Sequence, residues 1–128
     1  MTTSKVLGSL DLIGAVASVP VARAFVRETL GATHPALDDV TLLASELTTN
    51  AVLHSDSRDG GPVRLTLAEH DHAVRLTVTD TGSATHPRPN HDPCGEHGRG
   101  LLLVEGISQA WGVTNEATSR SVWCEVKF

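Results

Sequence analysis

Three groups of residues in this chain have the types and spacing for chemistry. Glu46, Asn50 and His54 recur at every fourth position within residues 42–54, Leu-Leu-Ala-Ser-Glu-Leu-Thr-Thr-Asn-Ala-Val-Leu-His. On a helix, at about 100° per residue, they fall in one narrow stripe, because positions i and i+4 lie one above the other. Val40, Leu43, Leu47 and Ala51 run along one side of that stripe, and Leu42 and Leu53 along the other. The carboxylate and the amide are therefore expected to emerge from within an apolar surface, where burial without a partner costs several kcal/mol. A Glu and an Asn on a helix are ordinarily solvated, and it is the apolar flanks that single these out. The second group is Asp80-Thr81-Gly82, directly after an alternating run. An Asp at a strand end can point into a pocket, and the glycine permits close approach or a positive φ. Alone, such a pair is usually a turn. The third is Gly98-Arg99-Gly100-Leu101, small residues at a helix start, where unpaired N–H groups and the positive helix end can receive phosphate oxygens. Arg99 could add a charge-assisted contact. This group lacks the Gly-Lys-Ser/Thr of a P-loop and the βαβ setting of a dinucleotide fingerprint.

The elements that must position these groups are legible from periodicity. Residues 6–13 alternate faintly and are expected to form a short edge strand. A helix is expected from Ser18, a capping residue type, with Pro20 in its first turn and Val21, Ala24, Phe25 and Leu30 at helical spacing before Gly31 ends it. A second helix is expected from about Pro35-Ala36 to His54, and the turn formers of 55–62 mark a loop. Val63, Leu65 and Leu67, then Val74, Leu76 and Val78, alternate with polar neighbours on either side of 69–72. That pattern predicts an antiparallel hairpin with one buried face. Residues 80–97 are irregular and long for a connection, the mark of a functional lid or a disordered segment. A third helix over 101–109 and strands over 111–116 and 121–128 close the chain, with Val122, Cys124, Val126 and Phe128 on one face. This order predicts a single α+β domain over 1–128, a two-layer sandwich whose mixed, mostly antiparallel sheet is covered on one face by helices.

Composition bounds the function. A net charge of −5 with no Lys/Arg run argues against a nucleic-acid footprint, which needs clustered cations. No stretch approaches the ~18 apolar residues of a membrane span, and residues 1–11 lack a signal-peptide core. A cytoplasmic protein is expected. Cys94 and Cys124 are isolated, so neither a disulfide framework nor a redox pair is indicated. His91-x-x-Cys94-x-x-His97, with His86 nearby, has spacing suited to zinc, but a structural zinc site normally takes four ligands. Trp111 and Trp123 are expected in the core or an interface.

Taken in order, Glu-x-x-x-Asn on a helix, Asp-x-Gly after a strand and Gly-x-Gly-Leu at a helix start resemble the N, G1 and G2 boxes of the GHKL, or Bergerat, ATP-binding fold. That fold is shared by gyrase, heat-shock chaperone, sensor histidine kinase and mismatch-repair ATPases. Residues 43–54, 78–82, 98–104 and the closing Ser121-Val122-Trp123 are most similar to the small stand-alone anti-sigma-factor serine kinases. The resemblance implies ATP and Mg²⁺ as ligands, with Asn50 as the Mg²⁺ ligand, whose amide oxygen suits a hard cation. It makes Asp80 the acceptor for the adenine amino group and Gly82 the point of close approach to the base. Gly98, Arg99, Gly100 and Leu101 would then hold the phosphates, and Ser121 would stand where the family often has a Thr near the adenine.

Glu46 resembles the family's general base, acting on a serine hydroxyl in a kinase or on a water in an ATPase. His54 matches the end of the N box and is read as bracing the helix. Where the fuller G1 motif has a second glycine this chain has Ala84, which strains the backbone by roughly 1 kcal/mol if that position needs positive φ. The implied function is phosphorylation of a serine on an antagonist protein, with a sigma factor as the second partner and a homodimer as the assembly. A nucleotide-dependent partner-binding module without phosphotransfer and a slow stand-alone ATPase are the alternatives.

Overall fold

The computed structural model describes residues 4–54, 61–80, 106–116 and 119–128. Five strands and two helices are seen there: β1 (Lys5–Ile13), α1 (Ser18–Leu30), α2 (Leu37–His54), β2 (Pro62–His70), β3 (Ala73–Asp80), β4 (Ala110–Asn115) and β5 (Arg120–Lys127). The strands form one sheet in the order β1-β2-β3-β5-β4, and every described pairing is antiparallel. Both helices cover one face, giving the two-layer α+β architecture. The expected third helix and the lid fall almost wholly outside the described residues.

Period-2 alternation does most of the folding work. Val63, Leu65 and Leu67 of β2 meet Val74, Leu76 and Val78 of β3 and Cys124 and Val126 of β5 on the covered face, all nearly or fully buried. Val40, Leu43, Ala44, Leu47 and Ala51 of α2 pack down onto them. At about 0.8 kcal/mol per buried CH₂, this cluster is what holds α2 against the sheet. The hairpin is tighter than the sequence suggests, since only Asp71 and His72 turn it, both at positive φ (47° and 57°). Two consecutive left-handed residues match the twist of the strands, and Asp and His tolerate the region better than branched residues.

The edge strand starts one residue earlier than expected. All nine residues of β1 are extended, paired to β2 with an irregularity between Val6 and Gly8. Two expectations for α1 need correction. Ser18 does not cap; it is the first helical residue, and its hydroxyl donates to the Ile13 carbonyl at 2.8 Å. The buried stripe is Ser18, Ala22 and Val26, whereas Val21 is 47% exposed. The phase read from Val21 and Ala24 was thus one residue off, because the stripe follows i, i+4 from the corner at Ser18. Gly31 does end the helix, at φ 92° with its N–H on the Arg27 carbonyl.

The uncovered face is polar. Arg64 donates to Asp11 (2.7 and 3.3 Å), His70 Nε2 lies 2.7 Å from Glu125, and the Arg75 guanidinium sits 4.0 Å above the Trp123 ring. Trp111 stands on the other face, against the core. Among the described residues no helix is long and apolar enough to cross a membrane.

Candidate functional site

The site is built where the C-terminal part of α2 passes over the end of β3 and the start of β5. Helix α2 brings Leu47, Asn50 and Ala51, β3 brings Val78 and Asp80, and β5 brings Arg120 and Val122. These line one open cleft of about 360 Å³, part of it open solvent. Its walls are aliphatic, and its polar groups are one amide, one carboxylate and one guanidinium. That mixture of groups suits a small-molecule ligand oriented by a few polar contacts.

Each polar group is there for a local reason. Asn50 follows Leu47 by three residues and precedes Ala51, so it stands at the margin of the buried stripe and is itself half-buried. Asp80 is the last residue of β3 and continues the inward series Val74, Leu76 and Val78. It is 5% exposed, and a carboxylate this deep is the informative exception to the rule that charges stay outside. Arg120 is paired with Asp80 and Val122 with Val78 in the β3–β5 register, so all four point to the helix-covered face.

The helix stripe is confirmed on one flank and corrected on the other. Val40, Leu43, Leu47 and Ala51 are core, but Leu42 is 41% exposed, so Glu46 and Asn50 lie on the boundary between core and solvent. Glu46 is half-buried, about 6 Å along the axis from Asn50, and does not line the cleft. Thr49, between them, turns its hydroxyl back to the Ser45 carbonyl at 2.7 Å.

Ser121 stands away from the cleft. Its partner in the register is Thr79, and the two hydroxyls lie 2.8 Å apart. Alternation puts that pair on the uncovered face, so Ser121 cannot touch a ligand in the cleft; its neighbours Arg120 and Val122 do line it. Arg120 is the site residue that sequence reasoning missed. The signal was present, because a strand that faces inward with Val122, Cys124 and Val126 also faces inward at 120. Gly82, Gly98, Arg99, Gly100, Leu101 and Ala84, and the His91/Cys94/His97 spacing, lie outside the described residues, as does the side chain of His54. Among the described residues no three His, Cys, Asp or Glu side chains converge as a metal site.

The donor set can be tested against the expected ligands. A buried acceptor-only carboxylate, an amide oxygen and apolar walls fit an adenine base with Mg²⁺-bound phosphates, and Mg²⁺ takes few protein ligands beside phosphate oxygens. A two-layer fold with such a cleft between helix and sheet fits a nucleotide-binding domain. The chain belongs to the histidine kinase-like ATPase domain family, whose model matches residues 14–124. No curated protein matches the sequence significantly.

Solved structures share the fold. The RsbU and RsbW domains of a Mycobacterium tuberculosis protein superpose with a TM-score of 0.69 at 23% identity, over 94% of this chain and 32% of that one. The SiaB–SiaC complex of Pseudomonas aeruginosa gives 0.67 at 12% identity, over 95% and 90%. The histidine kinase domain of a blue-light activated histidine kinase from Erythrobacter litoralis gives 0.59 at 22%, over 91% and 61%. The chain thus spans about a third of the first and most of the second.

Proposed function

We propose that this chain is an ATP-dependent regulatory kinase of the anti-sigma-factor type, transferring the γ-phosphoryl group to a serine of an antagonist protein. The observation that carries this reading is the convergence of Asn50 and the buried Asp80 in one cleft, with Glu46 one helical turn before Asn50. Asp80 accepts from the adenine amino group, and Asn50 presents its amide oxygen to Mg²⁺ beside the phosphates. Bound there, Mg²⁺ neutralises charge on the phosphate oxygens. Glu46 takes the proton of the incoming serine hydroxyl while its oxygen bonds to the γ-phosphorus; the bond to the bridging oxygen breaks, and ADP leaves. Gly82 near the base, and Gly98, Arg99, Gly100 and Leu101 at the phosphates, complete the site in this reading. The protein acts in the cytoplasm, as a homodimer, with a sigma factor as its other partner.

The resemblance of 43–54 and 98–104 to the anti-sigma-factor serine kinases supports this proposal, as does likeness of fold to structures named for RsbW and SiaB. A second reading is a partner-binding module gated by nucleotide without phosphotransfer. The exposed Ile13, Val16 and Val21 around the β1–α1 corner (62%, 66% and 47% exposed) suit a protein partner under either reading.

The test is the intact mass of candidate antagonist proteins from the same genome after incubation with Mg·ATP and the chain, beside Glu46→Gln. ATP binding is measured in parallel by calorimetry. One added phosphate on serine, absent with Glu46→Gln, is expected. Tight ATP binding without any mass gain would sink the kinase reading for those partners and leave the gated module.

A further inference from the structure

Arg120 is a guanidinium in a cleft whose apolar walls are Leu47, Ala51, Val78 and Val122 and whose other polar groups are Asn50 and Asp80, and nothing in the family motifs accounts for it. Its position is tightly specified. Strand β5 lies between β3 and β4, and β3 lies between β2 and β5, so both strands that carry the pair are held on two sides by ladder hydrogen bonds. Arg120 stands directly opposite Asp80 in the register, which places their Cβ atoms about 4.5–5.5 Å apart on one face. The cleft therefore presents, side by side, a group that only accepts hydrogen bonds and a group that only donates them.

That juxtaposition has a chemical complement. Adenine carries an amino donor flanked by ring-nitrogen acceptors, whereas guanine presents a carbonyl acceptor in place of the amino group. Resting on the reading of the cleft as an ATP site with Asp80 on the amino group, we propose that Arg120 donates to a ring nitrogen next to that amino group. The Asp80/Arg120 pair then reads the base at two points. Guanine meets the pair with a carbonyl oxygen against the Asp80 carboxylate, so the same two residues set base selectivity. Arg120 is on this account a base-binding residue and not a phosphate clamp.

The experiment is calorimetry on the full chain with Mg·ATP, Mg·GTP, adenosine, 1-deaza-ATP and 7-deaza-ATP, using wild type, Arg120→Ala, Arg120→Gln and Asp80→Asn. Thermal melts confirm that each variant is folded. Arg120→Ala is expected to weaken ATP and adenosine by the same factor, about tenfold for one charge-assisted hydrogen bond. One of the two deaza analogues should bind wild type about tenfold more weakly than ATP, yet bind Arg120→Ala as well as ATP does. That loss of discrimination is the signature of a direct contact, which a merely structural role would not produce. The proposal is overturned if Arg120→Ala weakens ATP while leaving adenosine unchanged, or if the deaza and Arg120→Ala effects simply multiply. It is equally overturned, with no variant needed, if both analogues bind wild type as tightly as ATP. Failure of the underlying reading looks different: wild type would not bind ATP, or Asp80→Asn would bind it unchanged.

Discussion

Asp80 carries a charge into a position only 5% exposed, at the end of a strand whose other inward residues are aliphatic. Sequence placed Asp80 at a strand end, but the alternation of β3 is what commits its side chain to the helix-covered face. Replacing it by Asn keeps the volume and removes an anionic acceptor. A hydrogen bond to a charged group is worth roughly 1.5–3 kcal/mol, so Asp80→Asn is expected to weaken ATP binding by about 10- to 100-fold, as titration calorimetry would read. An affinity within twofold of wild type would remove Asp80 from the site. Asn50 was partly legible: its neighbours three before and one after are core residues, but periodicity set it between two apolar flanks, and the exposure of Leu42 puts it instead at the margin of the buried stripe. Ser121 was misplaced because the resemblance supplied a residue type without a face, and a one-residue slip in a strand moves a side chain to the opposite side of the sheet. Arg120 would have emerged from the same parity.

At the scale of elements, the two helices and the central hairpin were readable because apolar residues outnumber every competing signal there. The edge strand and the phase of α1 were less so: β1 buries little, and the buried stripe of α1 is Ser18, Ala22 and Val26, of which only Val26 is strongly hydrophobic. The two sides of the α2 stripe make a direct test of where the core ends. Leu43 is fully buried and Leu42 is 41% exposed. Leu43→Ala should therefore cost about 2–5 kcal/mol in urea unfolding, and Leu42→Ala less than about 0.5 kcal/mol; equal losses would mean that Leu42 is covered in solution. On the uncovered face, a Cβ added to Gly112 would lie 2.7 Å from Trp123 Nε1, a contact the indole can relieve only by leaving its place beneath Arg75. Gly112→Ala should cost about 1–3 kcal/mol as overpacking and lower the melting temperature by about 3–10 °C. In a Trp111→Phe background the emission of Trp123 should shift to the red, and an unchanged spectrum and melt would show that the indole is not held there.

At the scale of the whole molecule, one buried thiol links the core to the cleft. Cys124 is fully buried on β5, two residues from Val122. Burial, with the negative charge of Glu125 adding to it, pushes its pKa from the ordinary 9.0 up to about 12. The unfolded chain then binds fewer protons than the folded one between those values, so this group's contribution to stability is complete below about pH 9 and is lost as pH rises toward about 12. Urea midpoints measured from pH 8 to 11 should fall more steeply for the native chain than for Cys124→Ala, and parallel curves would refute the linkage. The same thiol reports on the nucleotide. At pH 8 a thiol reagent should modify Cys124, identified by peptide mass so that Cys94 does not confuse the reading, only through opening of the sheet. A ligand that binds the folded state alone stabilises it by RT ln(1 + [L]/Kd), so ATP at about 100 times its Kd should slow Cys124 labelling roughly 100-fold. Protection by ATP that is lost in Asp80→Asn would tie the cleft, the sheet beneath it and the stability of the chain into one equilibrium. Labelling at the same rate with and without bound ATP would mean that β5 opens without disturbing the ligand, and the cleft would then have to rest on α2 and β3 alone.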